Sequence, residues 1–243
     1  MSLRALLYLA IFSALSLLSA CASTPEAVKS AESHFQDAEE AYAARNWEEA
    51  INAYKKVRES YSSQELTTQA ELKIADAHFE KEAFIEAAAA YEDFRKLHPR
   101  HEKLAYALYR LGLSHYNQIT SIDTDQTPVK NAVVTLEGFL KLYPDSEYAS
   151  EVKEKLADCR AKQLEYENYV GNFYLRTGKY TSAIKRLGEA LERFPDTPKR
   201  DQTLLYLGKA YLKSGNEEKG REVLKRLATD YPDSPLNAEA AKL

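Results

Sequence analysis

Val170-Gly171-Asn172-Phe173-Tyr174-Leu175-Arg176-Thr177-Gly178-Lys179-Tyr180-Thr181-Ser182-Ala183-Ile184 decides the reading of this chain. It continues through Leu187 and Ala190 to Phe194-Pro195-Asp196-Thr197. The pattern is a helix, a Gly-containing turn, a second helix and a proline stop. Gly171, Ala183 and Ala190 are small where two helices would cross closely. Tyr174, Tyr180 and Leu187 are large where a hairpin must bury something. One hairpin cannot cover its own apolar face, so related copies are expected along the chain.

Four more copies can be read. The first runs from about Ala31 to Tyr61, with Trp47, Ala50, Tyr54 and Val57 at the spacing of Tyr180, Ala183, Leu187 and Ala190. Arg45-Asn46 stands at its turn, and Asn46 is expected to take the left-handed geometry. The second runs from about Thr68 to Pro99. The third opens with Leu108, Leu111-Gly112 and Tyr116, and is interrupted by about eight residues around Ser121 to Thr127. It resumes at Pro128, where Thr127-Pro128 reads as an N-cap followed by proline at the first helical position. Apolar positions Val152, Leu156, Cys159 and Leu164 then keep helical period without a break. One long helix from about Ser150 to Arg176 is therefore expected to link repeats three and four. The fifth copy carries Leu207-Gly208, Tyr211, Gly215 and Tyr231-Pro232, and a short polar helix follows it as a cap.

These slots resemble the tetratricopeptide signature. The expected fold is all-α: a solenoid of about five helical hairpins. The expected divisions are 1–20 as a signal, 21–30 as a tether, 31–146 as an N-terminal half and 147–243 as a C-terminal half. Composition agrees: 243 residues with only 8 Gly and 8 Pro favour long helices. With 33 basic and 37 acidic residues interspersed, the net charge of −4 offers no basic stripe for nucleic acid.

Arg4 followed by the apolar run Ala5–Leu18 reads as a sorting signal, too short to span a bilayer comfortably. Leu18-Ser19-Ala20-Cys21 resembles the bacterial lipobox, which implies cleavage before Cys21 and acylation of that residue. Several acyl chains on one residue give stable anchoring. Ala22, where an inner-membrane retention signal would place Asp, points to the outer membrane. The expected location is its periplasmic face, reached by the lipid alone. Cys159 would then be the only thiol, on an apolar helical stripe as a buried structural residue.

No constellation for catalysis is found, so the chain is read as no enzyme. His78 and His115 share one repeat slot and are read as structural. His98-Pro-Arg-His101 lies in an inter-repeat turn without a cysteine and is read as a loop, not a metal pair. Asp123-Thr-Asp125 lacks the Gly and Glu of a calcium loop. No metal is expected, and no cofactor beyond the covalent lipid.

Counting along each first helix turns slots two, five, nine and twelve inward. The aromatic rings at those slots are Phe35 and Tyr42 in repeat one, Phe79 in repeat two, and Tyr106, Tyr109 and Tyr116 in repeat three. Repeat four offers Glu165, Asn168, Asn172 and Leu175 instead. Two readings fit the rings. They form a peptide-binding groove, for which rigid rings of large area are suited, or they pack between neighbouring repeats.

Further stretches carry a narrower resemblance. They are Tyr106-Ala107-Leu108-Tyr109-Arg110-Leu111-Gly112-Leu113-Ser114, Asp125-Gln126-Thr127-Pro128, Tyr143-Pro144-Asp145-Ser146-Glu147-Tyr148 and Phe173-Tyr174-Leu175-Arg176-Thr177-Gly178-Lys179-Tyr180. With the lipobox and five repeats, they are similar to the BamD family of the outer-membrane β-barrel assembly machinery. That resemblance implies a non-enzymatic scaffold lipoprotein. It implies client C-terminal strands in the N-terminal groove, and a BamA-like barrel insertase held through the C-terminal half. Other accessory lipoproteins would be further partners. A basic residue at the junction of repeats four and five marks the family's insertase contact, and Arg200 is its nearest match here. The other reading is a repeat lipoprotein that organises peptidoglycan synthases or hydrolases.

Overall fold

In the computed structural model, residues 29–60 and 63–243 are described. The expected signal segment, Cys21 with the tether up to residue 28, and Tyr61 at the end of the first expected hairpin lie outside the described residues.

Eleven helices follow one another among the described residues, paired as five hairpins and a cap. The first four are α1 (Ala31–Ala43), α2 (Trp47–Ser60), α3 (Gln64–Glu80) and α4 (Phe84–Leu97). The third hairpin is α5 (Leu104–Asn117) with α6 (Thr127–Leu142). Then come α7 (Ala149–Arg176), α8 (Tyr180–Arg193), α9 (Arg200–Lys213), α10 (Glu217–Asp230) and the cap α11 (Asn237–Ala240). Each helix packs on the next, and first helices also meet across repeats, α1 on α3, α5 on α7 and α7 on α9.

Local chemistry sets the ends of these helices. Ser30 and Ser63 accept from the Ser33 and Leu66 amides and cap α1 and α3. Pro99, Pro144, Pro195 and Pro232 end the second helices of repeats two to five. Each pushes the residue before it out of the helical region, so His98, Tyr143, Phe194 and Tyr231 all sit at φ −122 to −134°. The tight turns of hairpins one, two, four and five place one left-handed residue two positions before the second helix. Gly178 and Gly215 supply it at φ 73° and 85°, but Arg45 and Glu82 take it at 60° and 63°. The expectation for Asn46 is thus off by one residue. Non-glycine side chains there cost roughly 1–2 kcal/mol each, which packing of the hairpin offsets.

The long helix is present over 28 residues, Ala149–Arg176. Thr127 is not an N-cap: α6 begins at Thr127 itself. The Asp125 carboxylate accepts from the Thr127 backbone N–H at 2.9 Å and from its hydroxyl at 2.8 Å. An Asx-type acceptor two residues upstream therefore starts this helix.

The buried residues form three main clusters. Ala38, Ile51, Tyr54 and Val57 centre the first, on α1 to α3. Tyr91, Phe94, Leu136 and Phe139 centre the second, which takes Val152, Leu156 and Cys159 from the first half of α7. Leu187, Leu204, Leu205 and Leu227 centre the third, joined by Tyr174 and Leu175 from the end of α7. The long helix thus serves two cores. Each fully buried large side chain contributes about 1.5–3 kcal/mol. The small residue at the crossing of α7 and α8 is a steric requirement, because a Cβ on Gly171 would lie 2.5 Å from Leu187 Cδ2. Gly112 stands in the same relation to Leu136.

Candidate functional site: a latched aromatic face on the first helices

The six candidate rings all lie on α1, α3 and α5, and all are half-buried. Phe35 and Tyr42 pack on the first core, and Phe79, Tyr106, Tyr109 and Tyr116 on the second. Each ring thus packs on a core and keeps part of its surface accessible.

Ionic and polar partners fix the rings. Phe35 meets Tyr54 edge-on at 5.6 Å, and the Tyr54 hydroxyl donates to Glu39. Glu39 also pairs with Lys73 at 2.9 Å, and the Lys73 ammonium lies 5.0 Å from the Tyr42 ring centre. One repeat later the arrangement recurs. Asp76 Oδ1 accepts from Tyr91 at 2.5 Å and from Tyr106 at 2.8 Å. The Arg110 guanidinium covers Phe79 at 3.7 Å, donates to Tyr91 Oη at 3.2 Å and pairs with Glu80 at 2.6 Å. Glu39 and Asp76 thus play one role: each ties a buried tyrosine of its own hairpin to a residue of the next first helix.

Repeat three continues the face onto α7. Tyr109 stacks on Tyr148 at 4.4 Å with ring planes 7° apart, and donates to Glu151 at 2.7 Å. Tyr116 donates to Asp158 at 2.8 Å, under the Lys155 ammonium at 4.9 Å. Burial and the neighbouring carboxylate push the Tyr116 hydroxyl up to about 12. Burial, with Asp76 and Glu80 near, does the same for Tyr42. Both phenols stay protonated at neutral pH, and Tyr116 acts as the donor to Asp158. Beside the rings, a cleft of about 710 Å³ is lined by Gln69, Leu72, Lys73, Asp76, His101 and Lys103.

Slot counting missed Tyr148, Lys73 and Arg110. Tyr148 precedes α7 by one residue, so no helical count reaches it. The slots of repeat four also point elsewhere. Asn168 is buried with its amide 3.5 Å from the Lys199 carbonyl, and Leu175 packs in the third core. The accessible rings of α7 are Tyr169 and Phe173, 49% and 46% exposed. Neither stands at an inward slot.

Arg200 opens α9 at the junction of repeats four and five. Its guanidinium turns back onto the Pro195 and Leu191 carbonyls, the latter at 3.3 Å. There it closes the end of α8. His98 lies 2.5 Å from Glu71 and packs on Phe94. Burial lowers the pKa of both His78 and His115. Cys159 is fully buried and its thiol is pushed up to about 12 by that burial. Among the described residues, no helix is long and apolar enough to cross a membrane.

The chain is 29% identical over 214 residues to the outer membrane protein assembly factor BamD of Vibrio cholerae, covering 83% of this chain and 89% of that protein. It is 27% identical over 241 residues to the factor of the same name from Neisseria gonorrhoeae, covering 92% and 90%. Among solved structures it is similar to the TPR2AB domain of yeast Sti1 in its pHSP90 complex, with a TM-score of 0.41, 16% identity, and coverage of 84% and 78%. Residues 27–227 match the family described as YfiO, outer membrane lipoprotein, and with five hairpins and relatives over most of its length the chain belongs to that family.

Proposed function

We propose that this chain is a non-enzymatic scaffold of outer-membrane β-barrel protein assembly. It takes extended client strands on the aromatic face of its first three repeats, Phe35, Tyr42, Phe79, Tyr106, Tyr109 and Tyr116. It holds the barrel insertase, a BamA-like partner, through its C-terminal half near Arg200. An acylated Cys21 anchors it at the periplasmic side of the outer membrane, and no cofactor beyond that lipid takes part. The observation that carries this reading is the fixed orientation of the groove rings. Tyr106, Tyr109 and Tyr116 each donate to a carboxylate, at 2.7–2.8 Å. Rings held in place lose little entropy when a ligand stacks on them. The shared name of the relatives, outer membrane protein assembly factor, supports the assembly role.

Depletion tests it. Levels of barrel proteins in the outer membrane should fall when the chain is removed from its cell. Unchanged levels, or co-purification with cell-wall enzymes in place of an insertase, would overturn the reading.

A further inference from the structure

Asp76 is a carboxylate that strand stacking alone does not require. It lies buried on α3, and two phenols from two other helices converge on its Oδ1: Tyr91 from α4 and Tyr106 from α5. Tyr106 leads directly to the accessible rings. Its centre is 6.2 Å from that of Tyr148, and Tyr148 stacks on Tyr109. Burying a carboxylate is costly unless it is fully hydrogen-bonded. An ionised carboxylate accepts only, which matches two hydroxyl donors aimed at one oxygen.

We propose that Asp76 is a positioning residue of the groove: by holding Tyr106 it sets the Tyr106–Tyr148–Tyr109 face against which an extended client segment lies. This deepens the strand-binding reading and rests on it. Asp76 links α3 to α5 through Tyr106, so the angle of the second repeat against the third is read at the ligand surface. The proposal also makes the face sensitive to protonation. Burial raises the Asp76 pKa above that of an ordinary carboxylate, against the lowering effect of its tyrosine bonds. A proton taken up on Oδ2 leaves Oδ1 as a neutral acceptor in place of a charged one, so the two hydroxyl bonds weaken and Tyr106 is held less firmly. The titratable and charged groups around it are Glu39 and Tyr42 on α1, Tyr54 on α2, and Lys73 and Glu80 on α3. Tyr91 faces it from α4, Tyr106 and Arg110 from α5, and His101, Glu102 and Lys103 from the loop that lines the same cleft.

The probe is a synthetic peptide of alternating polar and apolar residues ending in phenylalanine, titrated into the purified chain by fluorescence anisotropy. Fluorotyrosine labelling reports the Tyr106 and Tyr109 resonances in parallel. Asp76→Ala should weaken binding about tenfold and shift both resonances with helicity retained. Asp76→Asn, which keeps a neutral acceptor like that of the protonated acid, should restore both in part at neutral pH and show no further loss of affinity on acidification. Tyr106→Phe deletes only the hydroxyl and serves if Asp76→Ala does not fold; it should reproduce the weakening. Native affinity in Asp76→Ala or Tyr106→Phe, or an Asp76→Asn chain with the native acid limb, overturns the proposal. A native chain that ignores the peptide overturns the strand reading instead. The resonances then decide the positioning claim alone: displaced by Asp76→Ala and restored in part by Asp76→Asn they support it, unmoved they overturn it.

Discussion

Tyr109 and Tyr148 stack face to face, 4.4 Å apart and 7° from parallel, although one sits mid-helix on α5 and the other in the loop that leads into α7. The pair joins the third hairpin to the long helix at the accessible face. Offset aromatic pairs add about 0.5–1.5 kcal/mol beyond the area they bury. Tyr148→Ala should therefore lower stability by about 1–2 kcal/mol in a urea melt. In a double-mutant cycle with Tyr109→Ala the two losses should not add, and full additivity would show that the stack contributes nothing.

Gly171 has no room for a methyl group. Gly171→Ala pushes a Cβ into Leu187 across α7 and α8. The expected loss is about 1–3 kcal/mol, read as a lower thermal midpoint. Gly188→Ala is the control, because nothing lies within 4 Å of its added Cβ. It should be neutral or slightly stabilising through helix propensity.

His115 is expected to make the fold acid-sensitive. Burial lowers its folded pKa below the unfolded value. The unfolded chain then binds the proton more readily, so stability falls as pH drops from the unfolded pKa toward the folded one. Thermal midpoints measured from about pH 7.5 down to about pH 5 should decline less in His115→Phe than in the native chain. Parallel declines would remove His115 from the account.

Cys159 should be inert. A fully buried thiol raised to about 12 offers almost no thiolate at neutral pH. In a Cys21→Ser chain, a thiol reagent should react slowly in buffer and fully in denaturant. Prompt reaction in buffer would contradict the burial.

Much of this architecture can be read in the residues, for a physical reason. Gly171, Ala183, Ala190 and Pro195 recur because the same crossing and the same stop recur, so helix order and the long α7 follow from spacing. Three things did not follow. The left-handed turn position is set by its place two residues before the second helix, and Arg45 takes it despite its side chain while Asn46 does not. In repeat four Asn168 is buried against the Lys199 carbonyl just before α9 and Leu175 packs in the third core, while Tyr169 and Phe173 stay accessible. The latches from Glu39 and Asp76 join residues on different helices, and no periodicity along one helix reports them.

The central claim is that the first-helix rings bind an extended client strand. The most direct test is the affinity of a client C-terminal peptide for the native chain and for Tyr109→Ala with Tyr116→Ala. Neither ring is fully buried, so helicity should be unchanged. The account predicts binding weakened by about tenfold or more in the double variant. Equal affinity in the two chains would contradict it.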